Sequence, residues 1–398
     1  MRILIAHNSH KIAGGEQRVF ESETAQLEKA GHEVIRFNPH NDEVDGLNGL
    51  TLASKTIWNR SSARDLTKLV QTHRPDVAHF HNIVPLISPS VFSVAAKHSV
   101  PIVWTLHNYR LICPGMLLLR DSKPCELCVS RSVKTPAVIH KCYRNSRTAT
   151  SAVTTMLTVH QMIGTWDHIA CFVAPSNFAK EKFVQGGLPR DRIVTKSNFV
   201  PGNPQTGSGD GNFFLYVGRL SEEKGVNSLL ETWQKHRIQE RLIIAGEGPL
   251  ETDVRHACDN NANIEFVGRQ SSAEVQRLMS AATATIVPSV CYETFGLVAA
   301  ESFAVGTPVL ASNLGALAEL IRPGENGFTF QPGNPDSLAA AIDQIKTSNP
   351  DELRMNARQS YEDKYTEERS LAGLLEIYQR VRGIESSSST FGPTVASV

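Results

Sequence analysis

Thr283-Ala284-Thr285-Ile286-Val287-Pro288-Ser289-Val290-Cys291-Tyr292-Glu293-Thr294-Phe295-Gly296-Leu297-Val298-Ala299-Ala300-Glu301 reads as a short apolar strand, a polar turn and a helix of small residues. The turn sets one carboxylate, Glu293, at the strand end, and the helix carries a second, Glu301, eight positions on. If the span is helical, the two stand about 12 Å apart, too far to share a proton but suited to different parts of one extended ligand. A sugar and a ribose, both rich in hydroxyls, fit that separation. The N–H groups of Thr294, Phe295, Gly296 and Leu297 open the helix, where the backbone favours a phosphate or hydroxyl oxygen.

The same strand–turn–helix unit recurs along the chain. Strands are expected at 2–6, 33–37, 76–80, 101–106, 168–173 and 192–196, then again at 213–217, 241–245, 263–267, 283–287, 308–311 and 327–330. Alternation of this kind specifies parallel sheets covered by helices on both faces, with ligand groups at the carboxyl ends of the strands. Residues 200–211, rich in Gly, Pro and polar side chains, cannot bury a core and form the linker. The expected division is 1–200 with a returning helix at 367–382, then 212–366, then a disordered tail at 383–398 that contains Ser386–Thr390. A length of 398 residues with 41% hydrophobic positions suits two such domains.

Four further groups sit at strand ends. Arg219 and Lys224 place a guanidinium and an ammonium beside Gly218 and Gly225, as a diphosphate requires, although both lie next to Glu222 and Glu223 and could pair with them instead. Gly246-Glu247-Gly248 and Gly268-Arg269 form glycine turns of the kind that lines nucleotide pockets or simply closes a loop. Gly14-Gly15 follows the first strand, without a full G-x-G-x-x-G and without an acidic residue placed to hold a nicotinamide ribose, which counts against a dehydrogenase. His79, His81 and His107 end two neighbouring strands; His79 reads as a satisfied core histidine, and a metal site formed by all three is the weaker alternative.

Together these residues resemble the retaining glycosyltransferases of family 4. The resemblance covers nearly the whole chain and rests on E-x7-E at Glu293 and Glu301, Phe295-Gly296 between them, the Arg219 and Lys224 pair, Gly246-Glu247-Gly248, and Gly14-Gly15. It implies a GT-B fold: α/β, two Rossmann-like doubly wound domains facing across a cleft, with the C-terminal helix crossing back to the N-terminal domain. By position, Glu293 would meet donor-sugar hydroxyls, Glu301 the ribose, and Arg219 with Lys224 the diphosphate. Gly246 would line the nucleotide pocket, the backbone near Gly268 and Arg269 would meet the base, and Gly14 and Gly15 the phosphates or acceptor. His107 falls beside the donor sugar, with Ser176 and Asn198 lining the cleft. The implied co-substrate is a nucleoside-diphosphate sugar with no organic cofactor, and the implied acceptor is a glycan or a lipid-linked molecule.

Cys113, Cys125, Cys128 and Cys142 give C-x11-C-x2-C-x13-C inside residues 109–147. The pattern suits a structural zinc on four thiolates, four reduced thiols, or, less well, an iron–sulfur cluster. Cys171, Cys258 and Cys291 read as packing residues. The same insertion carries a net charge of +6, and the formal charge of zero is a cancellation of +9 over residues 1–200 against −9 over 201–398. No long basic run supports nucleic-acid binding, whereas an anionic acceptor or peripheral contact with an anionic membrane fits the basic half. With no signal-like or spanning apolar run, a cytoplasmic protein at or near the inner face of the membrane is expected. Two other classes share parts of this pattern: a non-catalytic adaptor using the basic insertion, and another GT-B enzyme such as a sugar-nucleotide epimerase or phosphorylase.

Overall fold

The computed structural model describes residues 1–9 and 14–383. The expected tail, apart from Gly383, lies outside the described residues, as do Ile12 and Ala13 of the first glycine turn. Two six-stranded sheets form, and their twelve strands fall at the expected places to within one to three residues. The largest shift is at His168, where a 3-10 turn over Thr165–His168 delays the strand to Cys171–Ala174.

With the strands of each sheet numbered in chain order, the first sheet runs 2-1-3-4-5-6 and the second 3-2-1-4-5-6. The second is the order of dinucleotide-binding sheets, whose strand order reverses beside the first strand and leaves the adjacent loops free to hold a ligand. That strand is Phe213–Val217, flanked in parallel register by Arg241–Ala245 and Ala284–Val287, so that Leu215 lies between Ile243 and Thr285. Its neighbours on one face include Trp233, Leu229 and Ile342, and on the other Leu278 and Met279, all buried. Covering both faces explains why these strands read as unbroken apolar runs instead of alternating ones.

The chain forms two compact units. One comprises Met1–Thr105, Val159–Val173 and the segment from Leu371; the other comprises Leu106–Thr158 and Ala174–Ser370. A cut at the 200–211 linker would separate the sheets, but the units follow the loops. Residues 106–158 and 174–200 gather with the second sheet through bonds such as Ser176 Oγ to the Thr294 carbonyl, 2.8 Å, and Val200 N–H to the Tyr365 carbonyl, 3.0 Å. The last helix, Glu367–Val381, folds back: Leu374 and Tyr378 are fully buried in the first unit, where the Tyr378 hydroxyl lies 2.8 Å from His79 Nδ1.

Candidate active site

The strand Ala284–Val287 ends in Pro288, and the helix expected to follow begins only at Leu297. Glu293 therefore sits in an irregular loop and Glu301 on the helix, so the helical spacing expected between them applies only to the second half of the segment. Gly296, the residue before the helix, has φ 109° and is packed under Leu317, which sets the angle at which the helix leaves the loop.

Glu293 and Lys224 meet. The Lys224 ammonium donates to Glu293 Oε1 at 2.6 Å, and the Ser289 hydroxyl donates to the same oxygen at 2.7 Å. Their side chains are 30% and 18% exposed, so the pair is sheltered yet reachable. Burial alone would raise the Glu293 carboxyl, but Lys224 and the hydroxyl outweigh it and hold it below the usual carboxylate range. Burial likewise opposes the charge on Lys224, and Glu293 overrides it, raising the ammonium. The same confinement pushes the Cys291 thiol up to about 12, by burial first and the Glu293 charge second.

The two loops can approach because Gly225, at φ 72°, carries no side chain: a Cβ there would stand 1.8 Å from the Pro288 carbonyl oxygen. Val290 N–H reaches the Glu223 carbonyl at 3.0 Å and completes the seam. Arg219 behaves differently from Lys224. It pairs with Glu223 at 3.5 Å and remains 65% exposed, the surface ion pair that the sequence left open, while its backbone carbonyl accepts the Tyr216 hydroxyl at 2.7 Å. Next to it, Gly246 packs on Gly218, where a Cβ would come within 1.9 Å of the carbonyl oxygen; Arg269, beside Gly268, bonds Glu247 at 2.9 Å.

On the other side of Glu293 the loop is held from residues 107–176. Thr294 Oγ1 donates to the His107 carbonyl at 2.8 Å, Ser176 Oγ to the Thr294 carbonyl, and the buried Tyr109 hydroxyl to the Glu293 carbonyl at 3.3 Å. Thus His107, Lys224, Glu293 and Thr294 are brought together through bonded neighbours, with Phe295 buried behind the loop in the core that also contains Leu317 and Tyr361. Asn198 is buried and Glu301 half-buried in the same unit. Gly14 and Gly15 belong to the other unit, at the start of the helix Gly15–Lys29. Sequence reasoning did not find Ser289 or Tyr109. A hydroxyl directly after a strand-ending proline was the available signal for the first, and nothing local marked the second.

Two clusters of ligand-type residues remain. Among the described residues, the trio whose ligand atoms lie within 4.8 Å of one another is Glu23, His79 and His81, not the histidine trio weighed from sequence and not the cysteines. His107 falls in the other unit, and Glu23, from the helix after Gly15, stands in its place. His79 is bonded through both ring nitrogens, to Tyr378 at 2.8 Å and to Thr105 Oγ1 at 2.7 Å, as a satisfied core histidine should be. The four clustered cysteines are free thiols, Cys113 and Cys128 buried and Cys125 and Cys142 half-buried. Burial raises Cys113, and backbone hydrogen bonding from Leu118, Gly115 and Met116 opposes the rise; Cys142 is pushed up to about 11, by burial first and then by the other three cysteines.

Comparison with known proteins agrees with this fold. Residues 13–201 match Glycosyltransferase Family 4, and residues 203–363 match Glycosyl transferases group 1. A glycogen synthase of Mycobacterium tuberculosis is 30% identical over 385 residues, 87% of this chain and 86% of that protein. An uncharacterized glycosyltransferase of Methanocaldococcus jannaschii is 31% identical over 177 residues, 43% of this chain and 45% of its own length, and the chain spans about half of a second relative from that organism, 55%. Among solved structures, sucrose-phosphate synthase from Thermosynechococcus elongatus superposes with a TM-score of 0.71 at 18% identity, covering 96% of this chain and 100% of that one. Anabaena HepE in complex with UDP-glucose does so at 0.65, with 18% identity over 96% and 100%. The chain belongs to the family-4 glycosyltransferases of GT-B fold.

Proposed function

We propose that the protein is a retaining glycosyltransferase that moves a sugar from a nucleoside-diphosphate sugar to a glycan or lipid-linked acceptor. The observation that carries this is the Lys224–Glu293–Ser289 set, an ammonium and a carboxylate fixed at adjoining strand ends and open enough to exchange partners with a ligand. In this reading Lys224 turns from Glu293 to the diphosphate, and Arg219 leaves its exposed pairing with Glu223 to join it. The released Glu293 carboxylate accepts hydrogen bonds from donor-sugar hydroxyls, and Glu301 holds the ribose. Once gathered at the diphosphate, the two cations stabilise the charge that develops on the leaving group. No side chain is assigned as a general base; the acceptor proton goes to a diphosphate oxygen, and the His107 segment shapes the sugar side. Gly246, Gly268 and Arg269 frame the base, and Gly14 and Gly15 the phosphates or acceptor.

Nucleoside-diphosphate release tests this directly. Incubation with UDP-glucose, GDP-mannose or ADP-glucose and an acceptor extract should give acceptor-dependent release, with the anomeric configuration of the product retained by NMR. Full turnover by both Lys224→Ala and Glu293→Ala would overturn the assignment.

Two companion readings concern the insertion. The four cysteines are proposed to hold a structural zinc, supported by the C-x2-C at Cys125 and Cys128 with Cys113 and Cys142 flanking it as free thiols. Stoichiometric zinc in the purified protein is the expected result; four freely titrating thiols without metal would remove it. The exposed Lys123, Arg131, Lys141 and Arg144, beside exposed Leu127, Val133 and Ile139, support contact with an anionic membrane surface or acceptor. No helix among the described residues is long and apolar enough to cross a membrane. Sedimentation with phosphatidylglycerol vesicles that salt abolishes would support this contact, and equal binding to neutral vesicles would count against its electrostatic basis.

A further inference from the structure

The insertion, residues 109–147, holds eight basic residues and two acidic ones, Asp121 and Glu126. Glu126 stands inside the C-x2-C, between Cys125 and Cys128, and its backbone is pinned on both sides. Cys125 N–H bonds the Leu118 carbonyl at 2.7 Å, and Val129 N–H bonds the Glu126 carbonyl at 3.0 Å. Lys134, buried, donates to the Cys128 and Val129 carbonyls at 2.9 and 3.2 Å, so the knuckle is anchored from beneath by a fixed cation.

The Glu126 side chain leaves the knuckle and grips the donor loop. Its Oε1 accepts the Tyr292 hydroxyl at 2.8 Å and the Lys182 ammonium at 2.8 Å. Lys182 is only 12% exposed and lies over the rings of both Tyr292, 5.3 Å, and Phe178, 5.5 Å, whose centroids are 4.9 Å apart. Two donors converge on this one carboxylate oxygen, which is able to accept both together. Burial and then the Glu126 bond push Tyr292 up to about 12, so it donates as a phenol.

Tyr292 immediately precedes Glu293. From beneath, Gly315 allows the loop to settle, since a Cβ there would meet Tyr292 Cα at 3.2 Å and Glu293 N at 3.4 Å. The Tyr292 side chain thus fixes the outer side of a loop whose inner side carries the carboxylate paired with Lys224. We propose that Glu126 is a positioning residue for the donor site: by holding Tyr292 it sets where the Glu293 carboxylate stands when the donor sugar binds. The Cys-rich insertion is then part of the donor machinery. A charge-assisted bond of this kind is worth more than a neutral one, and small displacements of a catalytic group cost rate steeply.

This inference rests on the reading of Glu293 as a donor-sugar ligand, and the test separates the two. Donor and acceptor kinetics are measured by nucleoside-diphosphate release for the full-length wild type, Glu126→Ala, Glu126→Gln, Tyr292→Phe and the Glu126→Ala/Tyr292→Phe double variant, with thermal melting of each. Glu126→Ala should lower kcat/KM for the donor about tenfold, leave the acceptor KM within about twofold, and melt close to the wild type. Glu126→Gln, which keeps an acceptor oxygen, should recover most of the loss. Tyr292→Phe should match Glu126→Ala, and the double variant should be no worse than either single one. Wild-type donor kinetics in Glu126→Ala, or additive losses in the double variant, overturn the positioning role. A wild type that neither binds nor turns over UDP-glucose, GDP-mannose or ADP-glucose overturns the donor-site reading itself, and the positioning role with it.

Discussion

Two sheltered polar clusters, one in each unit, contrast sharply. In the first unit Glu23, His81, His79 and Tyr378 are 0–2% exposed, and His79 spends both ring nitrogens on neighbouring hydroxyls. In the second, Lys224 and Glu293 meet with about a quarter of their surface still open. Both are dense in titratable groups, so composition alone would rank them equally as sites. The difference lies in access. A hydrogen bond sealed within the fold, as between His79 and Tyr378, specifies packing, whereas a pair that solvent can reach is able to trade its internal partner for a ligand.

The contrast predicts opposite phenotypes. The largest effect on turnover belongs to the open pair: Lys224→Ala or Glu293→Ala should reduce transfer by about 10²–10³ or more, with a far-ultraviolet circular dichroism spectrum like the wild type. A large loss of structure in either variant would erase the distinction. Next, replacing Lys224 by Met should move a pH profile. The folded pKa of Glu293 is depressed, so what the ionised carboxylate contributes is present above its unfolded pKa and lost as pH falls through the folded value. Without the ammonium, burial raises the carboxyl, and the acid limb of donor binding should shift to higher pH; an unmoved limb would mean that Lys224 does not set the ionisation of Glu293. The closed cluster should answer in stability instead. Tyr378→Phe removes the hydroxyl bonded to His79 and should cost about 1–2 kcal/mol in urea unfolding while kcat stays near wild type. A variant that keeps its stability but loses turnover would place the closed cluster in the chemistry.

The fold was legible because its signal is repeated. Twelve short apolar runs, each closed by turn residues, can hardly be read another way, and their parallel pairing follows from the helices between them. Lys224 and Glu293 were legible because a small set of chemical types recurs at strand ends. The loop grip was not. Tyr109, Ser176 and Glu126 reach Glu293 and its neighbours from residues 118 to 184 positions away in sequence, and no local pattern announces which polar side chain will cross such a distance. The helical spacing drawn between Glu293 and Glu301 failed for a related reason: tertiary bonds to His107, Tyr109 and Ser176 hold the first four residues of that span out of the helix. The two compact units do not part at the linker, because bonds such as Ser176 Oγ to the Thr294 carbonyl and Val200 N–H to the Tyr365 carbonyl gather residues 174–200 with the second sheet.

The return of the last helix has a consequence for synthesis. His79 waits 299 residues for Tyr378, and Leu374 and Ile377 fill the same unit from the same late helix. A ribosome therefore releases the first sheet long before the residues that finish its core exist. The second unit, whose segments run from Leu106 to Ser370, has all its parts in hand sooner. The order of completion is thus the reverse of the order of translation. A chain truncated just before Leu371 should retain a folded donor half beside a first half that binds chaperones, which makes the final helix the step on which quality control of the whole enzyme turns.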